Sequence, residues 1–318
     1  MLADINRFRR TAHSLAPGDH ITIEELLEEE GYSKAFGEDY LYPMTGAIWS
    51  ARQVDIRGFP ARSLLDFLAN HGLIDIVGRP SWRTVEGGSR EYVARLTERL
   101  RGRIRTAAPV SALDRGRTSV GVRVEDEWLE FDQVVFAVHT DQALAILGDD
   151  ARHDEIQALK TIEYQPNVAI LHSDTGLMPA TKSVWSSWNA LASSDNREHA
   201  VASVTYWMNR LQGIDESVPL FVSLNPATQP DPRLTHATFE YAHPQFRSGS
   251  REAQLQIAAI QGENRTWYAG AWLGYGFHED GLQSGFNVAA ALGSPPSWMG
   301  EVSPMSSAPQ VVPPLRVP

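Results

Sequence analysis

Apolar residues recur at helical spacing through the first third of the chain. Leu26 and Leu27 follow Thr22 and Glu25, a pair spaced to form a capping box, while Leu64, Leu65, Phe67 and Leu68 follow Pro60, which suits a first helical turn. Stripes of this kind pack against a core more often than they line a channel. The texture changes from Trp82. Gly87 and Gly88 precede Ser89, an N-cap residue type, and Tyr92, Val93, Leu96 and Leu100 then predict a helix. Alternation at Val120, Val122 and Val124, with a turn at Glu125 to Glu127, predicts a hairpin, and the apolar run Val134 to Val138 predicts a strand buried on both faces.

A helical interval from about Asp141 to Lys160 comes next. Extended segments are predicted at Val168 to Leu171, Val201 to Tyr206, Leu220 to Val222 and Thr238 to Tyr241, which read as an antiparallel sheet of their own. A helix over Arg251 to Ile260, a strand over Thr266 to Ala269 and a helix over Asp280 to Leu292 complete the ordered part. The Pro-rich run after Gly293 reads as a disordered tail. The order is thus α/β material, a β-rich insert, then one more strand and helix of α/β type. The expected divisions are 1–81, 82–150, 151–262, 263–293 and a tail, 294–318.

Composition narrows the function classes. A net charge of −11 with no concentrated basic tract argues against nucleic acid, whose phosphates are met by Lys and Arg. The absence of Cys removes disulfides, thiolate metal sites, Cys nucleophiles and a cysteinyl-linked cofactor together. MLADINRFRR carries no signal-like apolar run and no later stretch reaches bilayer length, so a cytoplasmic protein without a transmembrane segment is expected. Neither a G-x-S-x-G elbow nor a Walker loop occurs, so hydrolase and kinase readings lack their minimum parts.

The informative stretch is TWYAGAWLGYGFHEDGLQSGFNVAAAL, Thr266 to Leu292. A strand ends at Gly270, a loop with Gly274 and Gly276 follows, and a helix begins near Glu279 to Gly281. Gly281, Gly285 and Ala289 are four apart and share one helical face without bulky side chains, so a flat group or another backbone can come close there. Each glycine inside a helix costs about 0.5–1 kcal/mol against alanine, which makes two on one face suggestive of a needed approach. The start of the helix also presents amides outside its own ladder and a partial positive charge, which favour an anion or a ring that becomes anionic on reduction.

This segment resembles the C-terminal flavin-binding motif of the amine-oxidase-like FAD enzymes, with Gly270, Gly276, Glu279, Gly281, Ser284 and Gly285 on its small and acidic positions. Further stretches, LYPMTGAIWSA, NHGLIDIVGRPSWRTVEGGSREYV, YQPNVAILHSDTGLMP, VWSSWNA and VTYWMNRLQ, resemble a bacterial branch of predicted NAD/FAD-binding oxidoreductases. Relatives of that branch occur fused to plant cyclopropane-fatty-acid synthases. The resemblance implies an α/β plus α+β fold: an incomplete, glutathione-reductase-like FAD-binding domain with an antiparallel-sheet substrate domain. It implies noncovalent FAD held by Val110, Gly270, Ala271, Gly276, Glu279, Asp280, Gly281, Ser284 and Gly285, with Phe277 and His278 near the reacting face. It further implies hydride removal from an organic substrate, amine or lipid-like. The other readings are a redox-neutral flavin isomerase and a non-catalytic substrate-binding fragment.

The sequence departs from the family in two places. It holds no strand, G-x-G-x-x-G and helix fingerprint, since Gly274 and Gly276 are followed by Glu279 at the third glycine position. An N-terminally truncated family member with weak autonomous FAD binding is therefore expected. Ala271 stands where much of the family is acidic. Other roles weigh against the catalytic ones: His278 could simply cap a loop, and Trp185, Trp188, Trp207, Trp267 and Trp272 could be core rather than cavity wall. His278, Glu279, Asp280, His172 and Asp174 lack a metal-ligand spacing, and no metal is expected.

Overall fold

The computed structural model describes residues 1–15, 17–18, 20–75, 83–191, 203–247 and 249–296. In chain order, helices α1 to α7 are Leu2–Thr11, Ile23–Glu29, Lys34–Phe36, Tyr42–Trp49, Gln53–Arg57, Ala61–Asn70 and Arg90–Glu98. Strands β1 to β4 are Val110–Arg115, Val120–Val124, Glu127–Phe131 and Val134–Phe136, followed by α8 (Thr140–Leu147) and α9 (His153–Thr161). Then come β5 (Glu163–His172), β6 (Trp188–Leu191), β7 (Ser203–Trp207), α10 (Met208–Gln212), β8 (Phe221–Leu224) and β9 (Thr235–Gln245). The described chain ends with α11 (Ser250–Ala259), β10 (Thr266–Tyr268) and α12 (His278–Ala291).

These elements form two compact units, one of residues 1–106 and 164–248, the other of 107–163 and 249–318. The divisions expected from sequence fell at 82, 151 and 263. They placed α7 with the α/β material and α9 and α11 with the antiparallel sheet, whereas contacts group each with the opposite unit. Trp82, the start of the strand expected from Val201 and most of the Pro-rich tail lie outside the described residues.

In the first unit the expected helices form for the expected reasons. Thr22 Oγ1 accepts from the Glu25 amide while Glu25 Oε2 accepts from the Thr22 amide, closing the capping box of α2. Ile23, Phe36, Leu41, Ile56, Leu64 and Leu68 are fully buried, each burial being worth about 1.5–3 kcal/mol. The stripe on α6 is thus core. The five-stranded sheet runs β6-β7-β8-β5-β9, antiparallel across the first three pairings, with Tyr206 opposite both Trp188 and Val222. β6 was not expected. Its four residues are too few for alternation to stand out.

α7 is shorter than expected and its apolar side chains are exposed. Its helix stops at Glu98, short of Leu100, and Tyr92, Val93, Leu96 and Leu100 are exposed rather than core.

In the second unit β1, β2 and β3 form an antiparallel meander. Its hairpin turns at Glu125 with a φ of 54°. The interval at 141–160 is two helices, because Gly148 closes α8 and a 3-10 turn follows. β4 pairs in parallel with β10 in a sheet of two strands among the described residues. The expectation that Val134 to Val138 is buried on both faces therefore fails: the strand ends at Phe136, Ala137 is exposed, and Val135 is 42% exposed, with no third strand of that sheet among the described residues. No helix among the described residues is long and apolar enough to cross a membrane.

Candidate functional site

β10 delivers the chain to Gly270 from a fixed strand end. Thr266 and Tyr268 are fully buried, and the Ala269 amide bonds the Phe136 carbonyl at 2.8 Å, extending the parallel pairing by one residue. Tyr268 stacks on Phe136 at 5.5 Å and donates its hydroxyl to Glu155 Oε1 at 2.8 Å. Glu155 in turn meets Arg115 at 2.7 Å, both side chains being almost wholly buried, and accepts from the Arg152 amide. Burial pushes the Glu155 carboxyl up, yet these donors outweigh it and hold the group below its ordinary 4.5. The Tyr268 hydroxyl is pushed up, chiefly by burial and then by the Glu155 charge.

The glycine loop is held on several sides. The indole of Trp272 occupies the place of a Gly270 side chain, its Nε1 lying 2.5 Å from where a Cβ would stand, and that Nε1 donates to the Val138 carbonyl at 3.2 Å. Residues Ala271–Leu273 form a 3-10 turn. Gln254 on α11 donates to the carbonyls of Trp272 at 3.0 Å and Gly274 at 2.8 Å. Gly276, at a φ of 93°, returns its amide to the Ala271 carbonyl, a conformation that side chains disfavour.

α12 then starts one residue earlier than expected, at His278. The Phe277 amide is capped by Asp280 Oδ2 at 2.9 Å, and the first amide returned to the helix is that of Gly281, bonded to the Phe277 carbonyl. The amides of His278, Glu279 and Asp280 stand outside the ladder. Ser284 Oγ accepts from the Gly270 amide at 2.9 Å and donates to the Gly281 carbonyl at 2.7 Å, tying the helix to the strand end. A Cβ on Gly281 would sit 3.6 Å from the Ala271 nitrogen, whereas one on Gly285 would have nothing within 4 Å. The small-residue face is therefore closed by the loop at Gly281 and open at Gly285. Glu279 is exposed and the Asp280 carboxylate is committed to the cap, so two negative charges partly offset the helix dipole. That terminus suits an uncharged hydrogen-bond acceptor better than a full anion.

Ten of the eleven residues expected at a cofactor or reaction site thus share one strand, loop and helix: Gly270, Ala271, Gly276, Phe277, His278, Glu279, Asp280, Gly281, Ser284 and Gly285. Phe277 is half-buried and His278 exposed. Val110 is on β1 in the three-stranded sheet, 37% exposed, paired with Val124. Gln254 and Trp272 were missed as shapers of the loop. No sequence signal marks Gln254, one of two glutamines on α11. Trp207 is core with Met178 and Phe221, the partly buried Trp185 packs against them, Trp188 is exposed, Trp272 is buried, and Trp267 bonds Gln133. His172 and Asp174 are engaged with Ser223 and with backbone amides. Among the described residues no group of three His, Asp or Glu side chains could hold a metal ion.

The family model described as flavin containing amine oxidoreductase matches residues 10–293, a span that takes in β10, the loop and α12. The chain belongs to this family. Flavin is therefore its cofactor class, and by family it is an FAD-dependent oxidoreductase. No curated protein matches the sequence. Among solved structures, a CLA-producing fatty acid isomerase from P. acnes superposes with a TM-score of 0.61 at 14% identity, over 91% of this chain and 74% of that one. Cyclohexylamine oxidase from Brevibacterium oxydans gives 0.60 at 13%, over 92% and 74%. A putrescine oxidase gives 0.62 at 13%, over 91% and 74%. At these identities the likeness shows the fold alone, the amine-oxidase-like arrangement of helices and antiparallel sheet. A Cβ on Gly285 would meet nothing within 4 Å, so no side chain bars a planar ring such as the flavin family's from that flank of α12.

Proposed function

We propose that this chain binds FAD noncovalently through the β10, Gly270 and α12 segment and removes a hydride from an organic substrate, an amine or a lipid-like molecule. The observation that carries the reading is the open helical face at Gly285 beside the amides of His278, Glu279 and Asp280, inside the span that the flavin family's model matches.

Each residue has a distinct part. Gly285 admits the ring, Gly281 lets the loop at Ala271 close against the helix, Gly270 makes room for the Trp272 indole, and Ser284 holds the strand end to the helix through the Gly270 amide. Ala271 and Gly276 shape the intervening backbone, and Val110 contributes its backbone on the adenine side. Asp280 keeps the helix start in register by capping Phe277, while Glu279 sets the local charge. Phe277 presents an apolar surface to the substrate, and the exposed His278 imidazole moves the substrate's proton. When bound, FAD supplies the hydride acceptor.

The sequence has no G-x-G-x-x-G to cradle a pyrophosphate, so FAD binding by these 318 residues is weak and turnover is impaired. The test is reconstitution with excess FAD, then a screen of primary amines and unsaturated fatty acids, followed by dye reduction and by product analysis. Dye reduction supports the oxidoreductase reading. Isomer formation without net electron transfer moves the assignment to an isomerase, and a flavin-loaded chain inert to both classes would leave a binding fragment.

A further inference from the structure

We infer that Gln254 is a positioning residue for the cofactor, an inference that rests on the flavin reading above. Its helix is fixed, because Ala253 and Ile257 on either side of it are buried. From there the carboxamide nitrogen places its two hydrogens on the Trp272 and Gly274 carbonyls, at 3.0 and 2.8 Å. Neither carbonyl is bonded by an amide of the loop itself. The Gly270 carbonyl is taken by the Leu273 amide, and the Ala271 carbonyl by the amides of Gly274 and Gly276. Gln254 therefore pairs two carbonyls that the turn would otherwise leave to water.

The consequence is directional. In a trans peptide the C=O and the following N–H point opposite ways, so a carbonyl held toward α11 turns the next amide away from it. Gly274 and Gly276 have the least backbone preference of any residues in the loop, so their peptide planes need an external constraint. Gln254 supplies it at Trp272 and Gly274. It thereby sets the course of Ala271 to Gly276, and with it the approach of Gly281, which lies against Ala271.

The experiment uses the whole chain with Gln254→Met, which keeps the length and drops both donors, and Gln254→Glu, which replaces the donors with a carboxylate facing two carbonyls. Amide exchange and FAD affinity by flavin fluorescence quenching are read beside the global unfolding midpoint. Loss of two hydrogen bonds should speed exchange at Gly274 and Gly276 roughly tenfold and weaken FAD about tenfold, more for Glu than for Met, with the Met midpoint nearly unchanged. Unaltered loop exchange would overturn the inference. So would faster exchange with wild-type FAD affinity, which would make the clamp structural only. If the wild-type chain shows no saturable FAD binding, the flavin reading falls, and the positioning role falls with it whatever the exchange shows.

Discussion

The hydroxyl of Tyr268 rests on Glu155 two residues before the chain turns at Gly270, and both side chains are buried. The strand end is thus anchored to α9, and through Arg115 to β1, by a network of almost wholly buried side chains. Glu155→Ala strands the Arg115 charge and should cost about 3–5 kcal/mol in chemical unfolding. Tyr268→Phe keeps the ring stack and should cost only about 0.5–1.5 kcal/mol.

The same carboxylate gives a pH signature. Its folded pKa lies below the unfolded value near 4.5, so the folded state binds fewer protons there. The stabilisation is complete above 4.5 and disappears as pH falls through the folded value. The stability gap between wild type and Glu155→Gln should therefore narrow on acidification below 4.5. A gap that stays constant between pH 7 and 3 would show that Glu155 is not held ionised.

His172 should act on a higher pH window. It is fully buried, its Nδ1 accepts the Asp174 amide at 3.2 Å, and its Nε2 therefore donates to Ser223 Oγ at 2.7 Å, which also meets Thr205. Burial, the largest cause, pulls its pKa below 6.5. The lowered folded value means that stability is present above 6.5 and declines as pH falls from there through it. Thermal midpoints of wild type should drop more steeply than those of His172→Gln between pH 7 and 5. Parallel slopes would contradict a neutral imidazole in this core.

Gly285 separates stability from binding. Nothing lies within 4 Å of its missing Cβ, so Gly285→Ala should stabilise α12 by about 0.5–1 kcal/mol, while Gly285→Leu fills the open flank and should abolish FAD binding without unfolding the chain. Gly270→Ala should instead destabilise, because Trp272 occupies that position. A Gly285→Leu protein that retains FAD affinity would remove the ring from this helix face.

Much of this was legible in the chain itself. The capping box at Thr22, the hairpin at Glu125 and the strand, loop and helix from Thr266 are written in local spacing, and the structure reproduces them. The grouping of elements was not, because α7 and α9 are amphipathic whichever unit receives them. Nor was the exposure of Val135, since an apolar run states preference for burial but cannot supply the covering strand. The clamp at Gln254 depends on a fold that brings α11 to the loop, and no single-residue pattern encodes such a meeting.

A flavin ring held against the start of α12 is read out by backbone amide shifts of the isotope-labelled chain titrated with FAD. Saturable shifts are expected at Gly270, Ala271 and His278 to Gly285 alone, and none in Gly285→Leu. Shifts that spare those amides, or that persist unchanged in the leucine variant, would put the cofactor elsewhere and contradict this placement.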